Sequence, residues 1–144
     1  MQVAIWRNEL LEPPLFAHIL RDKIRQLRTE RDVPILIDGW PRTVEQLTST
    51  NPDKAVGEPR LVVWLDCNEE RAQWHYSLRN DPSRGAENLR LFEMRYAQYK
   101  EWNPHVVSYF QRYAPERFER VVVMQEFRAT LNRLCEVFVK HGFA

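Results

Sequence analysis

Hydrophobic and polar residues alternate along this chain with two different periods. Between residues 14 and 29, Leu15, Ile19, Leu20, Ile24 and Leu27 recur at helical spacing with basic residues between them, which predicts an amphipathic helix opening on a proline. Pro34 ends that pattern. Residues 35–37 (ILI) form a short apolar run closed by Asp38 and Gly39, as expected of a parallel strand buried on both faces. Residues 43–49 predict a short helix, and 51–60 a polar loop. A second continuous apolar strand is expected at 61–66 (LVVWLD), followed by a helix that opens with Asn68 as its cap and Glu69 and Glu70 in its first turn. After a loop at 80–87 the pattern is helical from Asn88 to about Tyr113, anchored by Leu91, Met94, Tyr99 and Val106, with Pro104 marking a kink or break. Residues 121–124 (VVVM) predict a third strand, and 127–140 a closing amphipathic helix.

Strands alternating with helices imply parallel crossovers and a three-layer α/β architecture, and without repeats or linkers the 144 residues read as one domain with a core of its own. In open sheets of this kind ligands bind at the carboxyl ends of the strands, which directs attention to 38–42 and 66–68. Composition narrows the chemistry. Twenty-one basic residues against 20 acidic ones leave a formal charge of +1, too balanced for binding nucleic acid or an anionic membrane by bulk electrostatics. Cys67 and Cys135 form no CxxC pair, so buried thiols are expected in place of a disulfide or a zinc site. With no signal-like segment and no apolar run of about 20 residues, a cytoplasmic protein is expected. The only glycines, Gly39, Gly57, Gly85 and Gly142, are too dispersed to build a glycine-rich phosphate loop.

One stretch carries more information than the rest. Residues 35–46, ILIDGWPRTVEQ, place Asp, Gly, an aromatic, Pro and Arg at the end of an apolar run with a Gln one helical turn beyond. This resembles the DGFPR signature of nucleoside monophosphate kinases, the adenylate and UMP/CMP kinases. Upstream, NELLEPPLFAHILRDKI resembles that family's GxLVP segment and the helix after it, and LVVWLDCNEE resembles its FDCxxE strand end. Residues 77–110 resemble the lid arm and the long helix returning from it, so the register holds through nearly the whole chain, with a lid loop at about 79–88.

The resemblance implies a role for each matching position. Asp38 would hold the water shell of Mg²⁺, although a strand-end Asp that caps a turn is the plainer reading of the residue alone. Arg42 would grip the acceptor's α-phosphate with its planar fork, and Gln46 would read the acceptor base through its two-way amide. Gly39 would let the backbone approach the nucleotide, Pro41 stands where the family has a cis peptide, and Leu10 and Leu11 would line the base pocket or simply pack in the core. Arg79, Arg84 and Arg95 match the arginines that clamp the transferring phosphoryl group, within a chain of 17 arginines and 4 lysines. Departures accompany the matches. The family's RxDD hinge reads Arg84, Gly85, Ala86, Glu87; His75 stands where an Arg often covers the donor adenine; and the last strand lacks the glycine that admits the adenine.

The family begins with a strand, a GxxGxGKG loop and a helix, and the matching residues here start after them. The expected fold is therefore a three-layer, P-loop NTPase-like parallel sheet with flanking helices, missing its first strand and P-loop. Because that strand lies between those represented by 35–38 and 61–66, the two either close on each other or stand with unpaired edges. By resemblance the reaction is phosphoryl transfer from ATP, with Mg²⁺, to AMP, UMP or CMP, and the 144 residues alone are expected to be inactive. The alternative is a non-catalytic nucleotide-binding or interaction module derived from that fold.

Overall fold

Two prolines open the first described helix, α1 (Pro13–Glu30), where an absent N–H costs no hydrogen bond. The computed structural model describes residues 11–30, 33–50, 58–78 and 89–143, and these fall into two units divided after Glu58. In the N-terminal unit α1 packs on α2 (Val44–Thr50), and the chain between them has no regular secondary structure over 34–38 before turning at Gly39. Ala17 and Ile24, two turns apart on one face of α1, are buried, as are Gln46 and Leu47 of α2.

The strand expected at 35–37 is not formed. The segment belongs to no ladder among the described residues, and Leu36 is 83% exposed. An apolar run becomes a buried strand only when a neighbour satisfies its backbone and covers its faces, and no described residue does so here.

The C-terminal unit contains a two-stranded parallel sheet. Strand β1 (Val62–Asp66) pairs with β2 (Phe118–Val122) in a register that sets Trp64 opposite Arg120 and Asp66 opposite Val122. Parallel strands need a long crossover, here supplied by α3 (Glu69–Ser77), α4 (Leu89–Tyr113) and a 3₁₀ turn (Pro115–Arg117). A final helix, α5 (Phe127–Lys140), packs against β2. The described architecture is thus α/β with a two-stranded sheet and five α-helices, coarser than the three-layer sheet expected.

Local chemistry accounts for most of these boundaries. The Asn68 side chain accepts the Arg71 amide at 2.9 Å, the N-cap expected of it, ahead of Glu69 and Glu70. Helix α4 continues through Pro104, so the expected break is absent there. Strand β2 begins and ends three and two residues earlier than the VVVM run. Its polar residues belong to the ladder because each has a partner: Glu119 meets Lys140 and His141 of α5, and Arg120 donates from Nε to Asp66 Oδ2 at 2.8 Å while lying 5.3 Å over the Trp64 ring. Beyond Val122 the ladder ends, and the buried Thr130 hydroxyl accepts the Met124 amide at 2.8 Å.

Aromatic packing links these elements. Tyr76 of α3 meets Phe92 of α4 at 5.3 Å, Phe92 stacks on Tyr96, and Tyr96 meets Tyr99. Tyr99 accepts the Trp64 indole N–H at 3.0 Å, Trp64 stacks with Phe118, and Phe118 stacks with Phe110. Contacts of this kind add about 0.5–1.5 kcal/mol each beyond burial. The core residues are Phe92, Val106, Phe110, Val121 and Val137. Both cysteines are free: Cys67 is half-buried, with its thiol pKa pushed up by burial, and Cys135 is exposed on α5, which corrects the expectation of two buried thiols. No helix among the described residues is long and apolar enough to cross a membrane.

Two outcomes test this packing. Val121→Ala, at the least exposed position of the sheet, should lower unfolding stability by about 2 kcal/mol in a urea titration, and a loss near zero would contradict the central place given to β2. The Glu119 carboxyl is held below its usual pKa, first by the His141 hydrogen bond and then by the Lys140 bond. Stabilisation from a depressed carboxyl is present above the unfolded pKa of about 4.3 and is lost as pH falls through the folded value. Glu119→Gln should therefore lower Tm at pH 7 and do so less at pH 3; an equal loss at both would show that the charge does not matter.

Candidate functional site

Asp38, Gly39, Arg42 and Gln46, four of the residues singled out by the sequence, lie on the turn that leads into α2. Gly39 turns the chain with φ at +68°, a left-handed conformation that an L side chain adopts only with strain. A Cβ there would meet Arg42 Nη2 at 3.5 Å, an ordinary contact, so the backbone angle and not crowding selects glycine. The Trp40–Pro41 peptide that follows is cis. Arg42 then folds its side chain back, donating from Nε to the Gly39 carbonyl at 3.1 Å.

The start of α2 holds this turn from beneath. Thr43 Oγ1 accepts the Gln46 amide at 3.3 Å, one arm of a Thr-x-x-Gln capping box. The reciprocal arm normally reaches the backbone of the cap itself, but here Gln46 Oε1 accepts the Arg42 amide at 2.8 Å, one residue earlier. Gln46 is 2% exposed, so this bond is sheltered from water. Asp38 and the Arg42 side chain are exposed, whereas Trp40 is half-buried and its indole N–H has no acceptor among the described residues.

The chemical character of the turn follows from that arrangement. Arg42 carries a guanidinium braced at its Nε and its backbone amide, and among the described residues no carboxylate pairs with it. A planar fork with its Nη donors facing solvent is suited to a phosphate or carboxylate oxygen pair. Gln46 has its amide oxygen engaged by the Arg42 backbone N–H, so an approach to a base would require exchanging that bond.

The other expected residues are placed less informatively. Leu11 is half-buried ahead of α1, and Leu10 lies outside the described residues. Arg79, Arg84 and the lid loop at 79–88 also lie outside them, while Arg95 is exposed on α4 of the C-terminal unit. The 66–68 strand end is occupied structurally: Asp66 pairs with Arg120, Asn68 caps α3, and Arg71 donates to the Val123 carbonyl beside it. His75 packs edge-on against Trp74, with its Nε2 buried and without a partner among the described residues. Sequence reasoning missed Thr43, although the Thr-x-x-Gln spacing was there to be read.

Mg²⁺ needs an octahedral oxygen set and is usually held by one or two carboxylates together with phosphate oxygens. Among the described residues no group of three or more His, Cys, Asp or Glu gathers, and Asp38 at the turn is a single exposed carboxylate. These residues do not by themselves fit a metal centre. No protein-family model, no curated protein and no solved structure matches the chain.

Gly39→Ala should destabilise the turn by about 1–2 kcal/mol, the cost of forcing a Cβ into the left-handed region. Denaturant unfolding of the variant checks this, and an unchanged midpoint would mean that the turn relaxes freely to another conformation.

Proposed function

We propose that the turn at 38–46 binds the phosphate of a nucleoside monophosphate, with Arg42 as the residue that grips it. The single observation behind this reading is the braced guanidinium: its Nε is tied to Gly39 and its amide to Gln46, and no carboxylate among the described residues competes for its fork. A phosphate group offers oxygen pairs that match two parallel N–H donors, and a preorganised arginine loses less conformational freedom on binding than a free one. The DGWPR sequence and its resemblance to the nucleoside monophosphate kinases supply the ligand class. Under this reading the α/β chain is related to the three-layer, P-loop NTPase-like folds, and ATP with Mg²⁺ enters as the donor in the reaction of that family.

The 144 residues themselves contain no glycine-rich phosphate loop, and a donor triphosphate is held mainly by such a loop's backbone N–H groups and lysine. Binding of the acceptor, without transfer, is the activity these residues support. A non-catalytic nucleotide-binding module is the second reading, and it shares the Arg42 site.

Thermal denaturation in the presence of AMP, UMP or CMP tests the site. A ligand at about 100 times its Kd stabilises the folded state by about 2.7 kcal/mol, so the wild-type melting temperature should rise and that of Arg42→Ala should not. No rise with any monophosphate, or an equal rise in the variant, would contradict the reading. The 144-residue polypeptide should also release no ADP from ATP in the presence of these acceptors, and acceptor-dependent release would show that transfer does not need a glycine-rich loop.

A further inference from the structure

The bond between Arg42 and Gln46 bears on how the turn selects its ligand. An amide side chain reads a base only when both its oxygen and its NH₂ can face that base. Gln46 meets neither condition freely: its Oε1 accepts the Arg42 amide at 2.8 Å and the residue is 2% exposed. Turning the amide toward a base would leave the Arg42 N–H without its acceptor, and a stranded backbone donor is costly to the turn. The Thr43 hydroxyl on the Gln46 amide fixes the same residue from its backbone side. Arg42 is consequently held at two points, at its amide by Gln46 and at its Nε by the Gly39 carbonyl.

We propose that Gln46 is a positioning residue: by accepting the Arg42 amide from inside the fold it sets where the guanidinium stands, and the turn takes phosphate monoesters without reading the base they carry. This rests on the phosphate-binding reading of the turn. The ligand class is then defined by a phosphate on a small, sterically open carrier, and AMP, UMP, CMP and ribose 5-phosphate bind alike.

Two variants separate positioning from reading. Gln46→Met keeps the length of the side chain and removes the acceptor; Gln46→Glu keeps an oxygen acceptor and removes the NH₂ that base reading needs. Titration calorimetry of the full 144-residue chain with AMP, UMP, CMP and ribose 5-phosphate should show Gln46→Met weakening all four by about tenfold, the effect of one lost hydrogen bond. Gln46→Glu should change the affinity for all four to the same extent. In ligand-free protein, hydrogen exchange at the Arg42 amide should be slow in wild type and Gln46→Glu and fast in Gln46→Met. The proposal is overturned if Gln46→Glu loses a nucleotide while keeping ribose 5-phosphate, which is the signature of a base reader. It is equally overturned if Gln46→Met binds all four like wild type or leaves Arg42 exchange slow. Should Gln46→Met fail to fold by circular dichroism, Gln46→Glu alone decides between the two roles. Wild type binding none of the four would remove the phosphate reading, while exchange at Arg42 would still decide whether Gln46 holds the turn.

Discussion

The turn from Asp38 to Gln46 hangs on one hydrogen bond, donated by the Arg42 amide to the buried Gln46 side chain at 2.8 Å. The acceptor for this backbone donor is a buried side chain from the first turn of α2. The consequences run outward from it. Gln46 can reach back only because Thr43 opens the helix and accepts the Gln46 amide; Arg42 can fold its side chain over the loop only because Gly39 takes a positive φ and turns its carbonyl toward Nε. The exposed guanidinium is thus the end of a chain of local constraints and not a loose surface arginine.

The C-terminal unit solves a different problem. A sheet of two parallel strands has one ladder and little area of its own, so its stability has to come from what covers it. Side chains at registered positions supply much of this cover: Arg120 lies over its cross-strand neighbour Trp64 while bonding Asp66, and the Trp64 indole reaches Tyr99 of α4. The aromatic series from Phe92 through Trp64 and Phe118 to Phe110 ties α4 to both strands, and Lys100 adds an ion pair to Glu69 of α3 at 3.1 Å. That exposed pair adds little by itself. Most of the stabilisation lies in the apolar and aromatic layer, to which the charged rim adds register.

How much of this could be read from residues alone depended on whether the determining partner was local. Helix α5 begins and ends at the residues its 3.6-residue pattern indicates, and the Asn68 cap with its two following acids is visible as a local signature. Strand β1 was legible from its apolar run, but the similar run at 35–37 was not distinguishable from it, because only a neighbouring strand separates a ladder from a segment with Leu36 in solvent. The start of β2 was hidden for the same reason: Phe118, Glu119 and Arg120 do not look like a buried strand until Trp64, Asp66 and His141 are placed beside them. At the turn, Gly39, Pro41 and Arg42 announced themselves by residue type. The orientation of the Gln46 amide did not, since glutamine can serve a base or a backbone equally well and only the geometry chooses.

The most direct test of phosphate recognition by this turn follows the arginine side chains themselves. In ¹⁵N-labelled protein titrated with ribose 5-phosphate, the Nε–H resonance of Arg42 should shift saturably, together with the backbone amides of Gly39 and Arg42, while the other arginine Nε–H resonances stay in place. An unmoved Arg42 resonance, or small non-saturating shifts spread over many arginines, would show that phosphate meets only general surface charge and that the braced fork is not a binding site.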